Sequence, residues 1–265
     1  MAVPLEGIGP LLPLLQEKPF GLLSDIDGTL SPIAPRPEDA YVPDEVRDLL
    51  AELSQLGVAL AFITGRPLDE ARRRVGLEQA AYAGNHGLEL WLQGKRELAP
   101  GIARYMGQAQ AVQAYLERLP LPGVRIENKG PIIALHYRLS PDPEASRQAI
   151  LDAVAATPPA SAFRLHEGKM IVELRPLLDV NKGTAARSII QALNLRSVLC
   201  LGDDVTDLDM FAQLRELSQS RAVLGASVAV SSPDMPVAML DAADYSVPGV
   251  PGVQWLLQLL VKALA

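Results

Sequence analysis

A single cysteine, Cys200, stands in a chain of 265 residues. One thiol cannot build an intramolecular disulfide framework, and its place in the apolar run SVLCL makes it a core side chain rather than a nucleophile. The compartment expected from that usage is the reducing cytoplasm. Positive charge is also scarce: 24 Lys and Arg stand against 31 Asp and Glu, a net charge of -7. No basic stretch suits a nucleic-acid backbone, so no nucleic-acid partner is expected, and an anionic substrate must be held by a few local cations. No uninterrupted apolar run approaches the roughly 20 residues that span a bilayer, which excludes a membrane partner of that kind. The opening MAVPLEGIGPLLPLLQEKPF lacks a basic leader, carries Glu6 and is broken by Pro4, Pro10 and Pro13. It reads as a cytosolic lead-in rather than a targeting segment. Internal repeats and low-complexity tracts are missing too. Apolar side chains are abundant, at 49%, enough to bury the core of one large or two modest domains.

The order of elements separates two kinds of architecture. FGLLSDIDGTLSPI (20–33) begins as a buried strand and ends on two aspartates. A proline-rich loop, SPIAPRPEDAYVP, follows, and then Val46, Leu49, Leu50, Leu53 and Leu56 recur at helical spacing until Gly57. VALAFIT has the continuous apolar character of a strand covered on both faces, and GRPLDEARRRVG restarts a helix with Pro67 in its first turn. Strand and helix in alternation predict a doubly wound, Rossmann-like parallel sheet, whose ligands sit outside the carboxyl ends of the strands. Residues 105 to 178 break the alternation. They read as helix, two short strands, helix, two short strands, an αββαββ pattern of hairpins that belongs to an antiparallel sheet. The alternation resumes with NKGTAARSIIQALNL, SVLCL, ASVAVS and VQWLLQLLVKALA. The expectation is a larger α/β unit, 1–104 with 179–265, carrying a smaller inserted α+β domain at 105–178.

Four polar clusters fall at strand ends or helix starts of the larger unit: Asp25 with Asp27; Thr64 with Gly65 and Arg66; Lys182 with Gly183; and Asp203 with Asp204 and Asp207. Each alone suits a solvated turn, because Asp and Gly both favour turns. Two carboxylates as close as Asp25 and Asp27 repel, and burial raises that cost unless a cation or hydrogen-bond donors compensate. In this order and spacing the four clusters resemble the haloacid dehalogenase superfamily, whose phosphatases carry D-x-D-G-T-L, then Ser or Thr, then Lys, then G-D-D-x-x-D. The resemblance implies that Asp25 is a nucleophile forming an aspartyl phosphate and Asp27 the general acid and base. It also implies Mg2+ held by Asp25, the backbone carbonyl of Asp27 and Asp203. Asp204 and Asp207 would stand behind the metal or Lys182, with Asp204 favoured. Thr64 and Lys182 would hold the transferring oxygens, and Gly65 and Arg66 would contact substrate. The room between Asp27 and Thr64 excludes a large insertion there and leaves the inserted domain between Thr64 and Lys182, the position of the superfamily's second type of cap.

A narrower resemblance, from Phe20 to Leu260, is to the trehalose-6-phosphate phosphatases. It is carried by LSDIDGTLSPI, ITGR, GNHGLE (84–89), ENKGPIIALHYR (127–138), HEGKMIVELRP (166–176) and GDDVTDLDMF. That similarity implies that Glu127 and Lys129 reach sugar hydroxyls, that Arg138 assists at the phosphate, and that Glu173 contacts the sugar or orders Lys182. Their positions on alternating strands, taken alone, would make them solvent-facing charges. His86 and His136 receive no role. Asn181, where relatives often have Asp before the lysine, departs from the pattern. The further expectation is that no synthase domain is attached and that coupling to synthesis runs through a separate protein. The expectation is a cytoplasmic, monomeric, Mg2+-dependent phosphatase acting on trehalose 6-phosphate, a small-molecule substrate. Two alternatives stay open: another sugar phosphate, such as sucrose 6-phosphate or a glycosylglycerate phosphate, and a non-catalytic phosphosugar sensor.

Overall fold

A computed structural model of the protein describes residues 1–34, 36, 39–233 and 235–265; positions 35, 37 and 38 of the proline-rich loop, and position 234, lie outside the described residues. The chain divides into two compact units, Met1–Glu97 with Val180–Ala265, and Leu98–Asp179.

The first unit opens with β1 (Val3–Pro4), α1 (Leu12–Gln16), β2 (Phe20–Ser24), α2 (Asp44–Gln55), β3 (Ala59–Ile63), α3 (Leu68–Val75), β4 (Ala81–Gly84), β5 (Glu89–Leu92) and β6 (Lys95–Leu98). The second unit holds α4 (Ala103–Leu116), β7 (Arg125–Asn128), β8 (Ile133–His136), α5 (Pro143–Ala155), β9 (Phe163–Gly168) and β10 (Ile171–Pro176). The first unit resumes with α6 (Lys182–Ala192), β11 (Ser197–Gly202), α7 (Leu208–Gln219), β12 (Leu224–Ser231), α8 (Val237–Ala242), β13 (Tyr245–Pro248) and α9 (Gly249–Leu264).

The described residues of the first unit build a sheet in the order β1-β13-β12-β11-β2-β3-β4-β5-β6, parallel from β1 to β4 and antiparallel between β4 and β5. Every residue of β2 is buried because successive side chains enter opposite layers. Phe20 and Leu22 pack with Val46, Leu50 and Leu53 of α2 and Leu256, Leu257 and Leu260 of α9. Leu23 packs with Ile189 and Ile190 of α6 and Phe211 and Leu214 of α7. This is the doubly wound α/β core expected. The lead-in is more than a linker: β1 pairs with β13, and Leu11, Leu14 and Leu15 join the core. Its three prolines hide a strand of two residues from any periodicity test.

In the second unit the order β7-β8-β10-β9 is antiparallel throughout. Ile133, Leu135, Val172 and Leu174 pack on Tyr105, Val112 and Leu116 of α4 and Ile150 of α5. Asp142 starts α5 by accepting a hydrogen bond from the N–H of Ala145, 3.0 Å away. The unit begins at Leu98, ahead of residue 105, since Ile102 is buried and its carbonyl accepts from the N–H of Tyr105 at the start of α4. Among the described residues no helix is long and apolar enough to cross a membrane.

Candidate active site

Three neighbouring parallel strands set the site. β11, β2 and β3 run side by side in register, Leu201 opposite Ser24 and Ser24 opposite Phe62. The residues that follow them, Asp203, Asp25 and Thr64, therefore emerge along one carboxyl edge, where strand order brings polar ends together. The N–H of Asp25 still bonds the carbonyl of Leu201 at 3.0 Å, which fixes its backbone.

Lys182 arrives from the other direction, as the first residue of α6. Asn181 caps that helix: its side chain accepts from the N–H of Thr184 at 2.9 Å while the Thr184 hydroxyl oxygen accepts from the N–H of Asn181 at 3.0 Å. Asn serves here as well as Asp, since the cap needs only an acceptor. The buried Lys182 ammonium donates to Oδ1 of Asp25 and Oδ1 of Asp207, both at 2.7 Å. Oδ2 of Asp207 accepts from the N–H groups of Asp203 and Asp204 at 3.0 and 3.1 Å. Asp207 thus ties the lysine to the loop after β11. Thr29 Oγ1 donates to Oδ1 of Asp203 at 3.0 Å. Gly28, with φ of +88°, passes so close that a Cβ there would lie 2.0 Å from Oδ2 of Asp203, which accounts for the glycine after Asp27.

Carboxylate oxygens of Asp25, Asp203 and Asp207 lie within 4.8 Å of one another. Both oxygens of Asp207 are engaged, whereas Oδ2 of Asp25 and Oδ2 of Asp203 accept no hydrogen bond among the described residues. Three buried carboxylates share one ammonium, an imbalance of two negative charges that a divalent metal ion fits. Burial pushes the carboxyl of Asp25 well above its ordinary range; Lys182 opposes the rise, and Asp207, Asp203 and Asp27 add to it. Asp203 is pushed up to about 7, by burial first and then by Asp207, with Lys182 and the Thr29 hydroxyl working against the rise. Burial disfavours the Lys182 ammonium, yet Asp207 and Asp25 outweigh it and hold the group charged above the usual lysine range.

Asp27 faces a different partner. Arg66 donates to both of its oxygens, Nε to Oδ2 and Nη2 to Oδ1, each at 2.6 Å, and a further guanidinium nitrogen bonds Glu70. Arg66, expected on the substrate, holds Asp27 in this structure, because its bidentate fork matches a carboxylate. Gly65 likewise serves packing: a Cβ there would lie 2.7 Å from the His86 imidazole. Thr64 is buried, and its Oγ1 accepts from the N–H of Arg66 at 3.3 Å. Asp204, expected behind the metal, caps the turn that follows it, accepting from the N–H of Val205 at 2.7 Å. It is Asp207 that reaches Lys182.

Within the second unit, Glu127 and Glu173 both stand opposite Ala134, on the sheet face away from α4 and α5. Glu127 pairs with His136 at 2.7 Å. Lys129 donates to Oε1 of Glu173 at 2.9 Å, and Arg175 donates to Oε2. The sheet does not carry Arg138: it lies beyond the end of β8, in the turn that follows, and donates to the carbonyl of Lys169 at 3.3 Å. Sequence reasoning missed Thr29 and Glu70 as supporting residues; the only signals were a threonine two places after Asp27 and a glutamate one helical turn after Arg66.

A doubly wound parallel sheet that collects aspartates, a threonine and a buried lysine at the carboxyl ends of its central strands defines a phosphatase of the haloacid dehalogenase type. The family model described as Trehalose-phosphatase matches residues 23–241. The chain belongs to the trehalose-phosphatase family. It is 35% identical over 220 residues to a probable trehalose-phosphate phosphatase of Sinorhizobium fredii, covering 80% of each chain. It is 26% identical over 228 residues to trehalose-phosphate phosphatase B of Arabidopsis thaliana, covering 80% of this chain but only 60% of the plant protein. Among solved structures, the C-terminal domain of a C. albicans trehalose-6-phosphate phosphatase shares the fold, with a TM-score of 0.77 at 24% identity over 99% of this chain and 98% of that one.

Proposed function

We propose that the protein hydrolyses trehalose 6-phosphate to trehalose and phosphate, the closing step of trehalose biosynthesis, with Mg2+ as its cation, as a cytoplasmic monomer. The observation that carries this reading is the pairing of a buried Asp25, held through one oxygen by Lys182, with an Asp27 oriented by Arg66, in a chain of this family.

Oδ2 of Asp25 attacks phosphorus. The bond from phosphorus to the sugar oxygen breaks, and that oxygen takes a proton from Asp27 in its carboxyl form, once the Arg66 fork, which holds both carboxylate oxygens in this structure, has released one of them. Asp27 then removes a proton from water, the water oxygen bonds phosphorus, and the bond to Asp25 breaks to release phosphate. Lys182 and the Thr64 hydroxyl stabilise the charge on the transferring oxygens. Asp25, Asp203 and the backbone carbonyl of Asp27 would hold Mg2+, a hard cation suited to carboxylate and carbonyl oxygen. When bound it supplies positive charge at the phosphoryl oxygens. Asp207 positions Lys182. Glu127, Lys129 and Glu173, gathered on one face of the second unit, recognise sugar hydroxyls, which carboxylates accept well.

A phosphate-release screen across sugar phosphates tests the reading, with the Asp25→Asn variant alongside. The expected result is a specificity constant for trehalose 6-phosphate above those for sucrose 6-phosphate and glycosylglycerate phosphates, and no turnover by a folded Asp25→Asn protein. An active Asp25→Asn enzyme would refute the mechanism; a different preferred sugar would refute the substrate.

A further inference from the structure

Between the end of β4 and β5 the chain takes three consecutive left-handed residues, Asn85, His86 and Gly87, at φ of 49°, 58° and 102°. Such a run is sterically unfavourable for residues with a Cβ and persists only where surrounding contacts over-determine it. The contacts lead to two parts of the candidate active site. The N–H of Asn85 donates to the carbonyl of Arg66 at 2.8 Å, and the N–H of His86 donates to the carbonyl of Thr64 at 2.9 Å. The His86 ring lies against Gly65. On the other side, a Cβ on Gly87 would lie 2.9 Å from Cβ of Ala185 and 3.0 Å from the carbonyl oxygen of Asn181, in the first turn of the helix that carries Lys182.

A buried acid braces this segment. Glu89, at the start of β5, accepts from the Asn85 side-chain amide at 2.6 Å, and its other oxygen accepts from Arg96 of β6, which also bonds Asp69 of α3 at 3.1 Å. Asn tolerates the left-handed region better than most residues, and the Glu89 bond fixes which way its amide points.

We propose that Asn85 and Glu89 are positioning residues for phosphoryl transfer: they hold the 85–87 segment as a wedge that sets the Thr64–Arg66 loop against the start of α6, and so sets Thr64, Lys182 and, through Arg66, Asp27 in one geometry. The proposal rests on the roles given above to those three residues. It implies that a perturbation at Asn85 or Glu89 acts on turnover and not on sugar recognition, since neither side chain lies in the unit that carries Glu127 and Lys129.

The test compares Asn85→Ala, Glu89→Ala and Glu89→Gln with the unaltered protein, on trehalose 6-phosphate and on p-nitrophenyl phosphate, with melting temperatures measured in parallel. Misplacing a transferring group by about an ångström costs on the order of a hundredfold. Asn85→Ala and Glu89→Ala are therefore expected to lower kcat about tenfold to a hundredfold on both substrates, with KM nearly unchanged. Glu89→Gln keeps an oxygen for the Asn85 amide and gives up both the charge and the hydrogen bond facing Arg96, a half-exposed side chain that can turn to water and keep its bond to Asp69, so it should recover most of the lost kcat. Full kcat in a folded Asn85→Ala protein, a loss confined to trehalose 6-phosphate, or Glu89→Gln as slow as Glu89→Ala would each overturn the proposal. A Glu89→Ala protein that does not fold would make the network a stability element and overturn it too. If the unaltered enzyme turns over p-nitrophenyl phosphate but not trehalose 6-phosphate, the substrate reading fails while the positioning test still runs on the small substrate.

Discussion

Replacing Lys182 by methionine keeps most of the apolar stem of the side chain and removes the terminal ammonium with its charge. In the folded protein that ammonium is the shared partner of Asp25 and Asp207, 2.7 Å from each, and it is 3% exposed. Without it two carboxylates remain buried side by side with Asp203 nearby, an uncompensated arrangement of the kind that costs about 3 to 5 kcal/mol when one partner of a buried pair is removed. For a chain of this size each kcal/mol corresponds to roughly 2 to 4 °C in melting temperature, so a fall of about 6 to 20 °C is expected in metal-free buffer. The Asp207→Asn change, made in the Lys182→Met background, should recover part of that loss, since it removes one of the stranded charges. The two substitutions should therefore be strongly non-additive. Mg2+ should also narrow the gap, by replacing one lost positive charge with two. Turnover should fall on the order of a hundredfold or more even where the fold is restored, because a group stabilising the transferring oxygens is gone. The assay is thermal unfolding of the four proteins of the cycle, with and without Mg2+, beside phosphate release. A Lys182→Met protein that melts within a degree or two of the unaltered one, or additive effects in the cycle, would refute the charge balance drawn for this site.

The raised carboxyl of Asp203 gives a pH dependence. A group protonated more readily in the folded state than in the unfolded one stabilises at low pH and loses that contribution as pH rises through its folded value, here about 7. Metal-free protein should therefore melt at a higher temperature near pH 5 than near pH 8, and saturating Mg2+ should flatten or reverse the trend; a melting temperature independent of pH without metal would contradict it. Chelation should abolish turnover and Mg2+ restore it, with Asp203→Ala greatly weakening the restoration, and full activity in excess chelator would exclude this metal site. In the second unit, Glu127→Ala with Lys129→Ala should reduce the specificity constant for trehalose 6-phosphate on the order of tenfold to a hundredfold per residue, as lost hydrogen bonds to charged groups do. The value for p-nitrophenyl phosphate should barely move, and equal losses on both would assign these residues to folding or catalysis.

Local rules were enough for the central strands β2, β3, β11 and β12 and for the polar residues that follow the first three, but not for β1, β4, β5, β6 and β13. Runs such as FGLLS and VALAFI are apolar at nearly every position, so they can only be strands covered on both faces, and the polar residue that follows each one has to emerge at the carboxyl edge. The hairpins of the second unit were readable for a similar reason, each broken at a glycine within a few residues. What local rules could not decide was which charge meets which. Arg66 follows Thr64 by two residues and looked like a substrate ligand, but the parallel register of β2 and β3 puts its fork on Asp27. Of Asp204 and Asp207, the sequence reading favours Asp204 behind the metal or Lys182. The 3-10 turn at Val205–Asp207 spends the first on capping and turns the second inward to Lys182, 25 residues earlier in the chain. GNHGLE had no periodicity to interpret, and the contacts that explain it come from the loop after β3, from β6 and from the start of α6. Burial in one place of side chains distant in sequence sets both ionisation and pairing, because the cost of an unpaired buried charge depends on every neighbour at once. Only the folded chain supplies those neighbours.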